Sequence, residues 1–540
     1  SKRPTAPGRR RPGRAVRPRR ARSTPDTAHV GTGEQEAAEQ VDTGGVPTPP
    51  PVPPLRAPAR WGARPDAPGR FLREKARLMV RGQGPPTVPL GMSRRATGLT
   101  AAEEHSALDL VLRVGEAMIT TGAPVADVTA DMLRLAEGLG VANLTVDITF
   151  TSVTATIDRD DEPVTKVRVI RARTSDYTRL IEIYRLVGEA ADGSLDIAEA
   201  HTRLEKILSS PHPYSRLVVT AALGLMAAGV AVLLGGGWAV ALVAGFTTIV
   251  IDRVLRFLRH HELPYLFQQT VGGAVATLVA VVLLWGRQLF DWNWSLLPPS
   301  LVVASGIMVL LAGLSVVGAA EDAIAGYPLT SAARAFEVVM STIGIIIGIG
   351  VTLSVAQRLG VPLSVGDLEA SRAGGPALVT MAAGATIAGA WAIASYTRMR
   401  VVALIAAIGA LASGAYVLVS KLGLGPASGP FGNATSAFIA ALLVGLIGGA
   451  LAARTRIPSM VIAVCGVTPF LPGLSIYRAM YNIVDSGHLL EGLDLLVRAV
   501  SVGLALAAGV TLGEFLARSV ASESDKWQRW MRKRARGTRI

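Results

Sequence analysis

One cysteine among 540 residues leaves Cys465 nothing to pair with inside the chain, so no intramolecular disulfide can staple this protein. Charge is also scarce: Asp, Glu, Lys and Arg make up 17% of the residues and aromatics only 5%. The sequence lacks a GxSxG elbow, an HExxH pair and a P-loop, which removes the enzyme classes recognisable by those short motifs. With half the residues hydrophobic and a mean hydropathy of +0.41, the chain falls among membrane proteins rather than soluble enzymes. Cys465 lies in an apolar run and reads as a packing residue.

The charge that is present gathers at the ends. The net excess is +14, and 10 of the first 22 residues are Lys or Arg. The tail from Ser524 to Ile540 is similarly basic, while the long middle is nearly uncharged. Such tails suit an anionic membrane leaflet. Nucleic acid is not the expected partner, because no aromatic-interleaved binding module accompanies the charge. Residues 1–98, rich in Pro, Arg, Gly and Ala, bury too little apolar surface to offset their ordering entropy and are expected to be disordered. No long apolar stretch follows their arginines, so they do not read as a signal peptide. The chain begins at Ser1 rather than Met, which suggests a trimmed start.

Residues 99–209 have globular patterning. ALDLVLRVGEAMITTG places Leu108, Val111, Leu112, Gly115, Met118 and Ile119 on one helical face, and VADVTADMLRLAEGLG predicts a second helix ended by Gly140. NLTVDITF alternates, with Leu144, Val146, Ile148 and Phe150 on one side; SVTATI and VTKVRVIRA follow as strands. Helices over about Asp176–Ala190 and Ser194–Leu208 complete a small α+β domain. Glu103, Glu104, His105, Asp147, Ser152, Ser175 and His201 could be gathered into a hydrolytic site, yet none has diagnostic spacing. His212, in SSPHPYS, reads as part of the break between this domain and the first apolar segment rather than as a metal ligand.

From Leu217 apolar segments recur: Leu217–Leu234, Trp238–Leu258, Leu266–Trp285, Leu296–Ala320, Ala335–Ala356, Pro376–Ala394, Val401–Ser420, Phe431–Ala453, Ile457–Val484 and Leu493–Leu516. Most approach or exceed the roughly 20 residues that cross about 30 Å of hydrocarbon as helix. Asp252, Arg253 and Arg256 make the second segment the weakest, and it is expected to end early and be extended by a cytoplasmic turn. Basic residues in short loops set orientation. With the N-terminus cytoplasmic, the inner flanks hold Arg216, Arg253, Arg256, Arg259, Arg334, Arg398, Arg400, Arg454, Arg456 and the basic tail. The outer loops keep only Arg287, Arg358, Arg372 and Lys421, with WNWS at Trp292–Ser295 as interface anchors. Both termini are therefore expected in the cytoplasm.

A repeat organises these ten segments. LAGLSV at Leu311–Val316 is nearly copied as LPGLSI at Leu471–Ile476, 160 positions later, and GVTL recurs at Gly350–Leu353 and Gly509–Leu512. Each half (217–357 and 375–517, before a basic tail 518–540) thus has five spans. An odd number gives the second half the opposite orientation, the inverted-repeat architecture of secondary transporters. Within the second copy Pro472 removes an amide donor, Gly473 loosens the backbone, and Thr468-Pro469 adds a weak point one turn earlier, so the helix is expected to break. A half-helix starting near Gly473 would aim free amides at a carboxylate, with Thr468, Ser475 and Tyr477 beside it. The symmetry mate would use Gly313 and Ser315 without the proline. The alternative is a kinked helix packing through small residues.

These residues also carry a family likeness. RVGEAMITTGAPVADVTADMLRLAEGLG, the HPYS approach to the membrane and TPFLPGLSIYRAM resemble the threonine/serine exporter (ThrE) family, over about Leu99–Leu516. The resemblance implies a fused form of two halves that some bacteria encode separately, and proton-motive-force-driven export of L-threonine and L-serine across the cytoplasmic membrane. Split relatives are associated with succinate export. Relatives tend to have Pro-Gly where this chain has Ala312-Gly313. Asp322 matches an acidic position of the family, and Glu321, Glu337 and Asp252 are further candidates for coupling to protons. Arg478 and Arg498 are candidates to attract a carboxylate, or to snorkel toward an interface. The expected partners are a small amino acid, protons and membrane lipids, with no cofactor and no metal; a homo-oligomer is compatible with this reading. A dicarboxylate exporter or channel, and a membrane-tethered hydrolase working through residues 99–209, are the competing functions.

Overall fold

The computed structural model describes residues 99–158, 163–171, 173–289, 298–310, 313–360, 376–423, 434–455, 457–484 and 488–537. The expectations for residues 1–98, for Trp292–Ser295 and for Arg372 and Arg456 lie outside these.

The N-terminal domain starts with helix α1 (Ala101–Thr120), whose first turn is closed by a reciprocal capping box. Thr100 donates its amide to Glu103 Oε2 at 2.7 Å, and Glu103 returns its own amide to the Thr100 hydroxyl at 3.3 Å. The Thr100 amide first, and then the Thr100 hydroxyl, which donates to the same oxygen at 2.8 Å, hold the Glu103 carboxyl below its ordinary range. Helix α2 (Val125–Gly138) gives way to a left-handed Gly140, φ +82°, as its sequence predicts. Strands β1 (Leu144–Ile148), β2 (Ser152–Ile157) and β3 (Val164–Val169) pair antiparallel in chain order, with Ile148 opposite Val153 and Ser152 opposite Val169. Phe150 does not continue the apolar face of β1. The turn closed by the Thr149 amide on the Ser152 carbonyl, at 2.9 Å, takes it out of the strand, and its ring lies 3.8 Å beneath the Arg173 guanidinium. Helices α3 (Tyr177–Ala191) and α4 (Ile197–Ser209) complete the domain around Leu108, Leu112, Met118, Met132, Leu180 and Ile183, all fully buried.

The remaining helices are α5 (Arg216–Leu233), α6 (Trp238–His260), α7 (Tyr265–Leu289), α8 (Pro299–Met308), α9 (Gly313–Ile324), α10 (Pro328–Arg358), α11 (Ala377–Ala394), α12 (Met399–Lys421), α13 (Ala434–Thr455), α14 (Ser459–Val467), α15 (Gly473–Val484) and α16 (Leu489–Gly537). Among the described residues 8 helices are long and apolar enough to cross a membrane, and α8 and α14 are apolar but short. The protein is a polytopic, multi-pass membrane protein. Helix α6 runs past Asp252: the carboxylate ion-pairs with Arg256 one turn on and accepts a hydrogen bond from Thr220 at 2.7 Å, so the charge is satisfied and the helix continues to His260. Helix α16 runs on through the basic tail to Gly537.

Each half has three helices, an interrupted fourth segment and a long fifth. The interruption in the first half needs no proline: α8 ends at Met308 and α9 starts at Gly313. In the second half α14 stops at Val467, Thr468–Phe470 forms a 3-10 turn, and α15 starts at Gly473. Ser300 through Met308 are all buried, as are most residues of α14, so the freed backbone groups face protein rather than lipid.

The two halves also pack alike. In the first, α5 touches α6, α6 touches α7, and α8 touches α5, α6 and α7; α7 and α9 both touch α10. The corresponding pairs in the second half all recur, α11 with α12 and α13 with α16 among them. Both pairs of third and fifth helices approach through glycines. A Cβ on Gly273 would lie 2.7 Å from the Ile345 carbonyl, and one on Gly344 would lie 2.7 Å from that of Leu266; Gly445 and Gly513 play the same part between α13 and α16. Gly344→Val should therefore force α7 and α10 apart, lowering stability by about 1–3 kcal/mol as overpacking does. Chemical denaturation of the purified protein in detergent tests this, and an unchanged midpoint would refute the close approach.

Candidate functional site

Helices flanking the two interruptions touch. Helix α15, which begins at Gly473, packs against α8, which ends at the first interruption, and the 3-10 turn touches α11. The fifth helix of each half crosses over: α9 touches α16, and α15 touches α10. Ser315 and Ser475 are half-buried, Gly473 and Pro472 are buried, and Tyr477 lies on α15. Thr468, fully buried, does not offer its hydroxyl proton to the space at the break. It donates back to the Val464 carbonyl at 2.9 Å, relieving one of the carbonyls that the missing turn exposes. Phe470 stacks on Tyr416 with ring centroids 5.4 Å apart, fixing the far side of the turn.

The acidic candidates fall in different places. Asp322, only 1% exposed, lies near the end of α9, with Oδ2 3.2 Å from Arg334 Nε on α10. The two atoms are not aligned as a hydrogen bond, so their attraction is mainly coulombic. Gly318 makes room for this guanidinium, since a Cβ there would lie 2.6 Å from Nη1. The other carboxylate oxygen accepts the Val125 amide at 3.4 Å, from the first turn of α2 in the N-terminal domain. Glu321 faces Arg334 and three other carboxylates: Glu514 of α16, Asp127 of α2 and Asp322. Glu337, half-buried on α10, faces Arg173 of the N-terminal domain. Burial first, and then the neighbouring Arg334, bring Arg173 down to about 10, so it remains cationic at neutral pH. Asp252 is instead occupied by Arg256 and Thr220, and Arg498 by Asp494 at 2.8 Å.

Sequence reasoning set Glu321 and Asp322 just past the fourth apolar segment, whereas α9 continues through both to Ile324, and it missed what surrounds them. Val125, Asp127 and Arg173 belong to a domain whose approach no local pattern announces. That domain grips both halves. Its hydrophobic core is continuous with Ala388 and Ala392 of α11, Val402 and Ile405 of α12, and Met460, Val461 and Cys465 of α14. The α11–α12 loop is held by Tyr177, whose amide donates to the Ser395 carbonyl at 3.0 Å, by Tyr214, whose hydroxyl donates to the Thr397 carbonyl at 2.8 Å, and by Glu182, 2.7 Å from Arg398. Burial pushes the Tyr177 hydroxyl well above its ordinary pKa. His212 does mark the join: Nδ1 lies 2.9 Å from the buried Asp176 carboxylate, and the ring stacks on Tyr396 at 4.3 Å. To the first half the domain adds a contact from the Tyr327 hydroxyl to Thr129 at 3.4 Å.

The hydrolytic grouping is not assembled. Glu103 closes the α1 capping box, His201 Nε2 lies 3.1 Å from the Ser106 carbonyl, Ser152 pairs with Thr149 in the β1–β2 turn, and Asp147 and Ser175 are exposed.

Two interrupted helices enclosed in a multi-pass helical bundle, with charge buried beside them, are an arrangement known from membrane transporters. The chain matches two family profiles, "Putative threonine/serine exporter" over residues 109–356 and "Threonine/Serine exporter, ThrE" over residues 379–516. It is 36% identical over 456 residues to the "Probable threonine/serine exporter" of Mycobacterium tuberculosis, covering 83% of each chain. It is 34% identical over 414 residues to the "Threonine/serine exporter" of Corynebacterium glutamicum, covering 76% of this chain and 82% of that one. The "Probable succinate transporter subunit YjjP" of Escherichia coli is 22% identical over 253 residues, 47% of this chain and 96% of that protein. No solved structure matches the chain. The chain belongs to the threonine/serine exporter family, whose members are transporters and not enzymes.

The Asp322–Arg334 contact can be tested directly. Arg334→Met should leave a buried carboxylate held by a single amide and cost about 3–5 kcal/mol of stability. Adding Asp322→Asn should recover much of that loss. Denaturation in detergent reads both, and a fully additive double variant would mean that the pair is not coupled.

Proposed function

We propose that this chain exports L-threonine and L-serine from the cytoplasm, driven by the proton motive force, by alternating access of two oppositely oriented five-span repeats. The observation that carries the reading is the paired interruption: corresponding segments of both halves break, both breaks are packed in protein, and α15 lies against α8. The family relatives named for threonine and serine support the substrate.

In this reading the first turn of α15, at Gly473 and Ser475, and that of α9, at Gly313 and Ser315, supply amides and hydroxyls to a zwitterionic amino acid. Thr468 and Pro472 shape the turn, and Tyr477 stands one turn further along α15. Helix N-termini favour the substrate carboxylate. Asp322 and Glu321 supply the proton-coupling group. Asp322 is the better placed, since protonation would release both Arg334 and the Val125 amide at once and so loosen the N-terminal domain from the first half. Glu337 and Asp252 are the secondary candidates. The N- and C-termini lie in the cytoplasm, and the membrane is the cytoplasmic one.

Liposomes carrying the full chain and an imposed pH gradient test the function. Labelled threonine and serine should move with the gradient, and succinate, the cargo in the name of the Escherichia coli relative, should not compete. A variant carrying Gly473→Leu and Ser475→Ala should keep its thermal unfolding profile and lose transport by about tenfold or more, the equivalent of at least 1.4 kcal/mol of lost substrate contact. Undiminished flux would remove these residues from the substrate path. Asp322→Asn should leave threonine exchange intact and abolish its response to the pH gradient; a wild-type response would move the coupling group elsewhere. Impermeant thiol reagents should reach Lys421→Cys only from outside and a cysteine in the C-terminal tail only from inside, and labelling of both from one face would defeat the inverted repeat.

A further inference from the structure

A cavity of about 410 Å³ opens where α5 begins, α6 ends and the α11–α12 loop passes; Arg216, Asp252, Arg256, Arg259, His260 and Tyr396 line it. Its charges do not cancel. Arg256 and Asp252 neutralise each other, with Thr220 completing the carboxylate's partners. Arg216 and Arg259 have no carboxylate partner among the described residues, and both are exposed, as is His260. Two unneutralised guanidiniums on the walls of one concavity attract a doubly coordinated oxyanion, because each presents a planar fork of donors matched to phosphate.

The wall formed by the α11–α12 loop is fixed rather than loose. Tyr396 holds a left-handed backbone, φ +58°, rare outside glycine, while its carbonyl accepts from the Thr178 hydroxyl and its ring stacks on His212. The setting selects among phosphates. The residues following Arg216 and Arg256 are Leu217 and Phe257, 67% and 62% exposed, on helices whose apolar runs begin and end at this level. Such side chains suit acyl chains, so an anion bearing its own hydrocarbon fits better than a free one.

We propose that this cavity binds the phosphodiester of an anionic phospholipid, gripped by Arg216 and Arg259 against Tyr396. Such a lipid would touch the first half through α5 and α6 and the second half through the α11–α12 loop, beside the residues that hold the N-terminal domain. No residue of the two helix interruptions lines this cavity, and of the coupling candidates only Asp252, paired with Arg256, does.

The test uses the full chain, purified in a neutral detergent and titrated with phosphatidylglycerol, phosphatidylcholine or inorganic phosphate, with retention read by native mass spectrometry and stability by thermal unfolding. Phosphatidylglycerol should be retained and raise the unfolding temperature, and the other two should not. The double variant R216Q/R259Q should weaken phosphatidylglycerol retention about fivefold per arginine removed. R400Q/R454Q, which removes the same charge from other exposed positions, should retain it like the wild type. If the first double variant unfolds, R259Q alone carries the test, with a loss of about fivefold. Equal loss in R400Q/R454Q would reduce the effect to diffuse charge, full retention in R216Q/R259Q or R259Q would remove the site, and an equal response to inorganic phosphate would make it a free-anion site. Each of these three results overturns the proposal.

Discussion

Hydrocarbon offers a backbone amide or carbonyl no partner, and each group left unsatisfied there costs several kcal/mol. A chain with two interrupted helices in an apolar bundle must therefore enclose both interruptions in protein. This requirement shapes the whole membrane region. The segment before the first break is buried along nearly its whole length, and the segment before the second almost as completely. The Thr468 hydroxyl serves a carbonyl exposed by the turn. The glycines between α7 and α10, and between α13 and α16, let the outer helices close tightly around these broken segments.

The second theme is charge kept away from the middle and concentrated where the N-terminal domain meets the helices. Asp322, Arg334, Glu321 and Glu514 come from both halves, and Val125, Asp127 and Arg173 come from the domain. Carboxylates so nearly enclosed hold their charge only with cations and amides close by. The domain thus completes the electrostatics of the membrane region as well as covering it. Although it precedes the first half in the chain, its core merges with the second half, at α11, α12 and α14. A domain in contact with both halves can transmit a rearrangement of either to the other. In the alternating-access mechanism proposed above, small shifts at the ion pair would become movements of packed helices.

Pattern alone determined a good deal of this protein. Apolar length and composition marked the ten segments, because a helix must be apolar over a bilayer's thickness wherever it meets lipid. Alternation and capping residues marked the N-terminal domain, because side-chain period and backbone satisfaction are local. Pro472 and Gly473 announced the second break, because a missing amide is a property of one residue. Only tertiary structure decided the rest. The first break has no proline and forms through its enclosure by α5, α6 and α7, which no short window of sequence contains. Asp252, read as a charge that shortens the apolar part of its segment, is satisfied by Arg256 and by Thr220 from another helix. Apart from nearby Arg334, partners of Asp322 and Glu321 such as Val125, Asp127 and Glu514 lie nearly 200 positions away, because coulombic and hydrogen-bonding neighbours are set by distance in space, and distance along the chain does not encode it.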